Sequence, residues 1–399
     1  MWLSDFQIVL SDRVIESGAL RIEDGLIAEI SETPVANADI VGNGLLLLPG
    51  MIDMHGDMIE REIEPRPGVR MPMDMGLRDL DMKLATAGIT TAYASLSFAP
   101  GSTYGHMRSY DFTSALIRAV VAARPNLLID HRVHARFEVT FPAALSVVKE
   151  LVGEGAVDLV SLCDHTPGQG QYRDLDLQAA NISRNKGISP EAAMEQLQQR
   201  IRDRKETAGD MTETLRAITQ YCAMHGVPVA SHDDDTVEKV TLMDQLGANI
   251  SEFPVTLEAA EEAHRRGMLN AMGAPNALRG QSYSGNLSAR DAHAAGILDL
   301  LAADYHPSAM LPAVLVLAQT DPDGLAGAAR LTSRNPARAL GLEDRGEIRV
   351  GLRADLAVAS RTGVGQVHAT FSRGRIVHAD GTLDVSAVGR RHEHVIRMS

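Results

Sequence analysis

His55 and Asp57 stand two residues apart at the end of a nearly apolar run, Leu45-Leu46-Leu47-Leu48-Pro49-Gly50-Met51-Ile52-Asp53-Met54, that suits a buried parallel strand. Side chains alternate along a strand, so an imidazole and a carboxylate at i and i+2 leave it on the same side. At the C-terminal mouth of a barrel they would offer a nitrogen and an oxygen ligand to one metal ion. The pair alone reads more readily as a polar turn after a buried strand. What decides between these readings is the recurrence of similar residues after other apolar runs: Glu138, Asp164-His165, Ser231-His232-Asp233-Asp234, Ser251-Glu252-Phe253-Pro254 and Asp304-Tyr305-His306. A single histidine among them could be a hydrogen-bonded cap, and Asp233, Asp234 and Asp235 could be helix-capping carboxylates. On a common rim the set points to a shared metal centre. Imidazole nitrogen mixed with hard oxygen suits Zn²⁺ or Mn²⁺ better than Ca²⁺ or a thiolate-seeking metal.

A rim requires strands that end together. Apolar runs at Met51–His55, Ile89–Leu96, Val133–Val139, Asp158–Asp164, Pro228–His232, Asn249–Phe253, Leu269–Gly273 and Leu298–Asp304 alternate with helical patterns. Eight such runs predict an α/β chain folded as a (β/α)₈ TIM barrel. Both ends of the chain have a different texture. Phe6–Leu10, Ala19–Glu23 and Leu26–Ile30, with a turn at Asp24-Gly25, are matched late by Gly346–Gly351, Asp355–Ala359 and Val367–Phe371. They predict a small β-sandwich domain built from residues 1–48 and 343–399, with the barrel over 49–342. Ser189-Pro190-Glu191 starts a helix, with a capping serine and a proline at the first helical position, and two helical stretches, about 190–207 and 211–225, precede the fifth strand. The polar stretch Thr166–Gly187 is long enough to be a lid or binding loop. After about residue 383, Arg390, Arg391, His392 and His394 mark a solvated tail.

The chain has 399 residues, 45% of them hydrophobic, with 34 glycines, as expected of a globular protein with many tight turns. Its apolar runs are strand-sized, and Met1-Trp2-Leu3-Ser4-Asp5-Phe6 lacks the basic and apolar regions of a signal peptide. Cys163 and Cys222 are too few for a disulfide framework and fit a reducing cytoplasm. With 38 basic against 52 acidic residues the net charge is −14, which argues against nucleic acid and anionic membrane surfaces as partners. A homo-oligomer is compatible with all of this.

The order His-x-Asp, Glu, His, His, Asp along a barrel flanked by a split β-domain resembles the amidohydrolase superfamily. More narrowly, the chain is similar to the diphosphatases of the carbon–phosphorus lyase pathway. The blocks that carry this are His55-Gly56-Asp57, Pro65-Arg66-Pro67, Asp164 to Gln169, Ser231 to Asp234, Glu252-Phe253-Pro254, Met272 to Asn276, Ser284-Gly285-Asn286 and Asp304-Tyr305, and they span nearly the whole chain. The resemblance implies two divalent ions bridged by Glu138, one on His55, Asp57 and Asp304, the other on His165 and His232, with Glu252 able to replace or support either. It makes Asp304 the general base. It also implies as substrate a small anionic phosphorylated sugar, a ribosyl 5-triphosphate carrying methylphosphonate on C1, cleaved to the 5-phosphate and pyrophosphate. Donors for the phosphate oxygens are expected from Arg66 on its proline-stiffened loop, and from Arg279, Asn276, Ser284, Gly285 and Asn286 after the seventh strand, where barrel phosphate sites form. Arg132 and Arg136 share the alternate face of Glu138, with Arg132 nearer the barrel floor. The second ligand departs from the common His-x-His, and Gly56-Asp57-Met58 stands where these diphosphatases usually have Thr-Asp-Asn. Met58, Met71 and Met73 replace more polar or aromatic residues, which leaves the organic end of the substrate open. The rivals are a deaminase or cyclic amidase of the same architecture, acting on C–N bonds, and a non-catalytic barrel scaffold.

Overall fold

A computed structural model describes residues 1–100, 106–172, 174–206, 208–282 and 285–385. The tail residues Arg390, Arg391, His392 and His394, and Ser284 of the seventh-strand block, lie outside the described residues. Eight parallel strands form one sheet in sequence order: β1 (Met51–Gly56), β2 (Ile89–Ser97), β3 (Asp130–Glu138), β4 (Leu159–Cys163), β5 (Val229–His232), β6 (Ile250–Glu252), β7 (Leu269–Gly273) and β8 (Leu300–Ala302). Each coincides with one of the eight apolar runs to within a few residues. Alternation sorts their side chains. Val133, Ala135 and Phe137 of β3 face the helices, while Arg132, His134, Arg136 and Glu138 face inward. Beneath the inward polar residues lies a small apolar plug of Ile52, Met54, Tyr93, Leu159, Ala230, Ile250 and Leu300, closed from below by Leu340 and Leu342.

β1 and β8 meet chiefly at the mouth. Gly56 bridges to Asp304; Asp304 N–H donates to His55 O and Asp57 N–H to Asp304 O, each at 2.8 Å. Lower down, Leu331 and Thr332 wedge between the two strands, accepting hydrogen bonds from Leu301 N–H and Ile52 N–H. Asp53, fully buried, fastens the seam: its Oδ1 accepts from His55 N–H at 3.1 Å and from Ala303 N–H at 2.8 Å. Opposite β2, three steps from Asp53 to Gly56 match two steps from Ala92 to Ala94, a bulge. This lets His55 turn into the barrel although Met54 beside it already packs in the plug.

Both termini build the second domain, a β-sandwich in which Trp2–Val9, Val14–Glu23 and Leu26–Ser31 are joined through Leu46–Pro49 to Leu356–Ser360, Gln366–Ser372 and Arg375–Ala379. Phe6, Ile8, Leu20, Leu47, Val358 and Phe371 fill its core. Asp24 and Gly25 both take positive φ, as the tight hairpin turn demands. Two expectations differ. Gly346–Gly351 is a turn rather than a strand: Gly346 and Gly351 have φ of 91° and 90°, and Glu347 between them is drawn to Arg334. Thr166–Gly187 is largely ordered as a 3₁₀ turn, Gly170–Tyr172, and a helix, Leu175–Lys186, that Asp174 caps and Gly187 ends in the left-handed region. The helices Pro190–Glu206 and Ala208–Met224 follow, with Ser189 Oγ accepting from Ala192 N–H. Among the described residues no helix is long and apolar enough to cross a membrane.

Asp53→Ala leaves two buried N–H groups unpaired at the seam. It is expected to cost about 2–4 kcal/mol, read as a lower urea midpoint with an unchanged slope. An unchanged midpoint would mean that the wedge alone holds the seam.

Candidate active site at the barrel mouth

At the centre of the mouth lies the Glu252 carboxylate, fully buried at the end of β6. Its Oε1 is 3.3 Å from His55 Nδ1 and 3.6 Å from His134 Nε2, and its Oε2 is 3.3 Å from His232 Nδ1. The His55 and His232 rings stack 5.5 Å apart, His134 meets His55 edge-on, and the Phe253 ring stands edge-on to both stacked rings. Phe253 sits there because its backbone is left-handed, φ 54°, which is unusual for a bulky residue and costs about 1–3 kcal/mol. Asp233 and Asp304 share this conformation, also just past strand ends.

Burial opposes ionisation of Glu252, but His134 and His55 hold it well below the usual carboxylate range. Burial likewise works against a charge on His55, yet the Glu252 and Asp57 carboxylates outweigh it and lift the imidazole to about 10. His134 is pushed down to about 3 by burial. Burial, with Asp57 nearby, raises Asp304 to about 6. A buried anion this close to three imidazoles calls for a positive partner. His134 Nε2 is buried with no hydrogen-bond partner, while Ser95 Oγ lies 3.1 Å from its other nitrogen. Ligand atoms of His55, His134 and Glu252 lie within 4.8 Å of one another, and a second set with this spacing comes from His165, His232 and Asp233. Both sets mix imidazole and carboxylate donors in the way that fits a divalent ion.

Arg136 crosses between the sets. Its Nη1 donates to both Asp57 oxygens at 3.1 and 3.0 Å, and its Nη2 to His232 Nε2 at 3.0 Å. Glu138 stands to the other side, bonded by the His165 ring and by Thr140 Oγ1. The carboxylate that touches both His55 and His232 is therefore Glu252. Gln171, from the 3₁₀ turn, donates to Asp233 at 2.8 Å. Lys239 donates to the carbonyls of His232 and Asp233, holding the bend after β5.

The mouth opens into a cavity of about 320 Å³. His55, Asp57, Arg136, His232, Asp233 and Asp304 form its floor; Asn276, Arg279 and Asn286 line one side, and Phe253, Pro254, Met272, Leu287 and Tyr305 supply apolar wall. Asn276 also ties the wall together, accepting from Ala289 N–H and donating to Leu287 O. Gly285 has φ 70° beside Asn286. Arg66 is exposed in a turn to Val69, away from the cavity wall, and Arg132 pairs with Asp130 and Asp158 at the barrel floor. His134 and Asp233 went unrecognised as ligand candidates from sequence. The first was signalled by the period-two series 132, 134, 136, 138, whereas nothing local separates Asp233 from a helix cap.

The chain is 34% identical over 367 residues to the alpha-D-ribose 1-methylphosphonate 5-triphosphate diphosphatase of Escherichia coli (strain K12), covering 90% of this chain and 95% of that one. No family model matches. Among solved structures, the N-acetyl-D-glucosamine-6-phosphate deacetylase of Mycobacterium smegmatis superposes with a TM-score of 0.62 at 18% identity, over 95% of this chain and all of the other. The dihydropyrimidinase of Brevibacillus agri NCHU1002 gives 0.58 at 14% identity over 95% of each chain, so both likenesses are of fold.

Glu252→Gln is expected to lower affinity for Zn²⁺ or Mn²⁺ at least about tenfold, and Glu138→Gln to lower it less. Elemental analysis after equilibrium dialysis checks this. Full metal retention in the Glu252 variant, with loss in the Glu138 variant, would reverse the assignment.

Proposed function

This chain belongs to the amidohydrolase superfamily and, within it, to the family of alpha-D-ribose 1-methylphosphonate 5-triphosphate diphosphatase, and on that premise we propose that it hydrolyses this ribosyl triphosphate to the 5-phosphate and pyrophosphate, a step of phosphonate catabolism. The observation that carries the reading is the cavity itself, which is lined by His55 of one metal-competent cluster, by His232 and Asp233 of the other, and by Arg279, Asn276 and Asn286. His55, His134 and Glu252 would hold one divalent ion, Zn²⁺ or Mn²⁺, and His165, His232 and Asp233 a second, with Asp57 and Asp304 at the edge of both. When bound, such ions supply Lewis acidity toward phosphoryl oxygens and make water a stronger acid.

The residues of the chain do the rest. Asp304, on the cavity floor where β1 and β8 meet, is the general base, orienting the attacking water and accepting its proton. Attack falls on the phosphorus that carries the ribose 5-oxygen; the anhydride bond to the next phosphate breaks and pyrophosphate leaves. Arg279 and the backbone around Gly285 bind the leaving phosphates, the guanidinium by paired N–H donors. Asn276 and Asn286 orient them. Arg66, on the exposed turn, would meet only the outer end of the chain of phosphates. The apolar side formed by Phe253, Met272 and Leu287 suits the sugar face and the methyl of a methylphosphonate. A hydrolase of C–N bonds could use the same floor but would have no use for Arg279.

A panel of ribosyl 5-triphosphates, assayed separately for pyrophosphate and orthophosphate, tests this. Pyrophosphate is the expected product. Arg279→Ala should raise KM about 10–100-fold, and Asp304→Asn should lower kcat about 10²–10⁴-fold. Orthophosphate as sole product, or unaltered turnover in the Arg279 variant, would point to the rival chemistry.

A further inference from the structure

Arg136 is a cationic residue on the cavity floor that belongs to neither metal cluster, and its position is at odds with one of them. Its side chain is 9% exposed, inside the barrel on β3. Nη1 takes both oxygens of Asp57, and Nη2 lies 3.0 Å from His232 Nε2. That nitrogen also faces Asp233 Oδ2 at 3.7 Å, while His165 Nε2 approaches the same oxygen at 3.9 Å, and with both Nδ1 atoms turned to Glu252 and Glu138 it is the Nε2 atoms that the second cluster can offer an ion. His232 Nδ1 lies against Glu252 Oε2, so the ring donates there and has one lone pair, on Nε2, to give. A guanidinium N–H and a divalent ion cannot share that lone pair, and the two cations repel at this distance. The first cluster has no such conflict, because His134 Nε2 is buried without a partner beside Glu252. Arg136 Nε is likewise buried and, among the described residues, without a hydrogen-bond partner, while Cys163 lies beside the guanidinium and its outer nitrogens reach the cavity.

We propose that the Arg136 guanidinium and a divalent ion at His165–His232–Asp233 are alternative occupants of one position. The chain alone then keeps one ion tightly, at His55–His134–Glu252, and takes a second only when the guanidinium leaves Asp57 and His232. An anion entering the cavity is the partner that would draw it off, and a polyphosphate is the class that the surrounding donors suit. Arg136 is thereby a resident positive charge where a second metal would sit, passing to the substrate as that metal arrives. This rests on the metal-dependent reading above, but concerns how many ions bind and what they displace.

The test is a titration of the metal-free full chain with Zn²⁺ alone, counting bound ions by equilibrium dialysis and elemental analysis, for wild type, Arg136→Gln, Arg136→Met and Arg136→Lys. Wild type is expected to bind one ion at least about tenfold more tightly than a second. The Gln variant should tighten the second by at least about tenfold, and Lys, which keeps the charge, should leave it weak. The Met variant replaces Gln should the latter not fold by circular dichroism, and the wild-type stoichiometry stands without either. Two ions of equal affinity in wild type, or a second ion that weakens when the guanidinium is removed, would overturn the proposal while leaving metal dependence intact. No bound ion in wild type would overturn both.

Discussion

A carboxylate with no access to water, set among three imidazoles, is the constraint on which the barrel mouth is arranged. Removing Glu252 from solvent costs several kcal/mol unless positive charge is brought to it. The described structure supplies His55 on one oxygen, His232 on the other and His134 just beyond hydrogen-bond reach. A proton on His55 can satisfy the anion, and so can a divalent ion between these side chains. The site is therefore poised toward cations by its own desolvation. The same burial keeps water from screening the field that a phosphorylated substrate would meet.

That arrangement is coupled to how the barrel closes. Asp304 joins the last strand to the first through hydrogen bonds on either side of His55 and Asp57, and Asp53 reaches across the same seam. The bulge in β1 then turns His55 inward over a plug that Met54 already helps to fill. Strain is concentrated at the same level. Asp233, Phe253 and Asp304 all occupy the left-handed region within two residues of a strand end. Each owes this to the hydrogen bonds of neighbouring strands: Asp233 N–H to Glu252 O, Phe253 N–H to Ala271 O, Asp304 N–H to His55 O. Closure, strain and ligand placement thus depend on one ring of backbone contacts.

The architecture was legible in the sequence because period-two alternation and spacing carry it. All eight strands and both helices after Ser189 follow from local pattern, as does the sheet shared by the termini. Residues contributed by strand ends, His55, Asp57, His165, His232 and Asp304, were legible for the same reason. The partnering of carboxylates was not. Glu138 and Glu252 both end strands, and nothing local decides that Glu252 meets His55, His134 and His232 while Glu138 meets His165 and Thr140. Arg66 looked favourable on its proline-flanked loop, yet the turn to Val69 leaves it outside the cavity. The helix Leu175–Lys186 escaped notice because its apolar face is thin and much of it is polar.

The central claim, that Glu252 is the anion around which a cation is held, is tested most directly by anomalous diffraction from crystals grown with Zn²⁺, recorded above and below the zinc edge. The account predicts the strongest zinc peak at bonding distance, about 2.0–2.2 Å, from a Glu252 oxygen and from nitrogens of His55 and His134. Zinc bound instead between Glu138 and His165, with Glu252 still hydrogen-bonded to bare imidazoles, would contradict it.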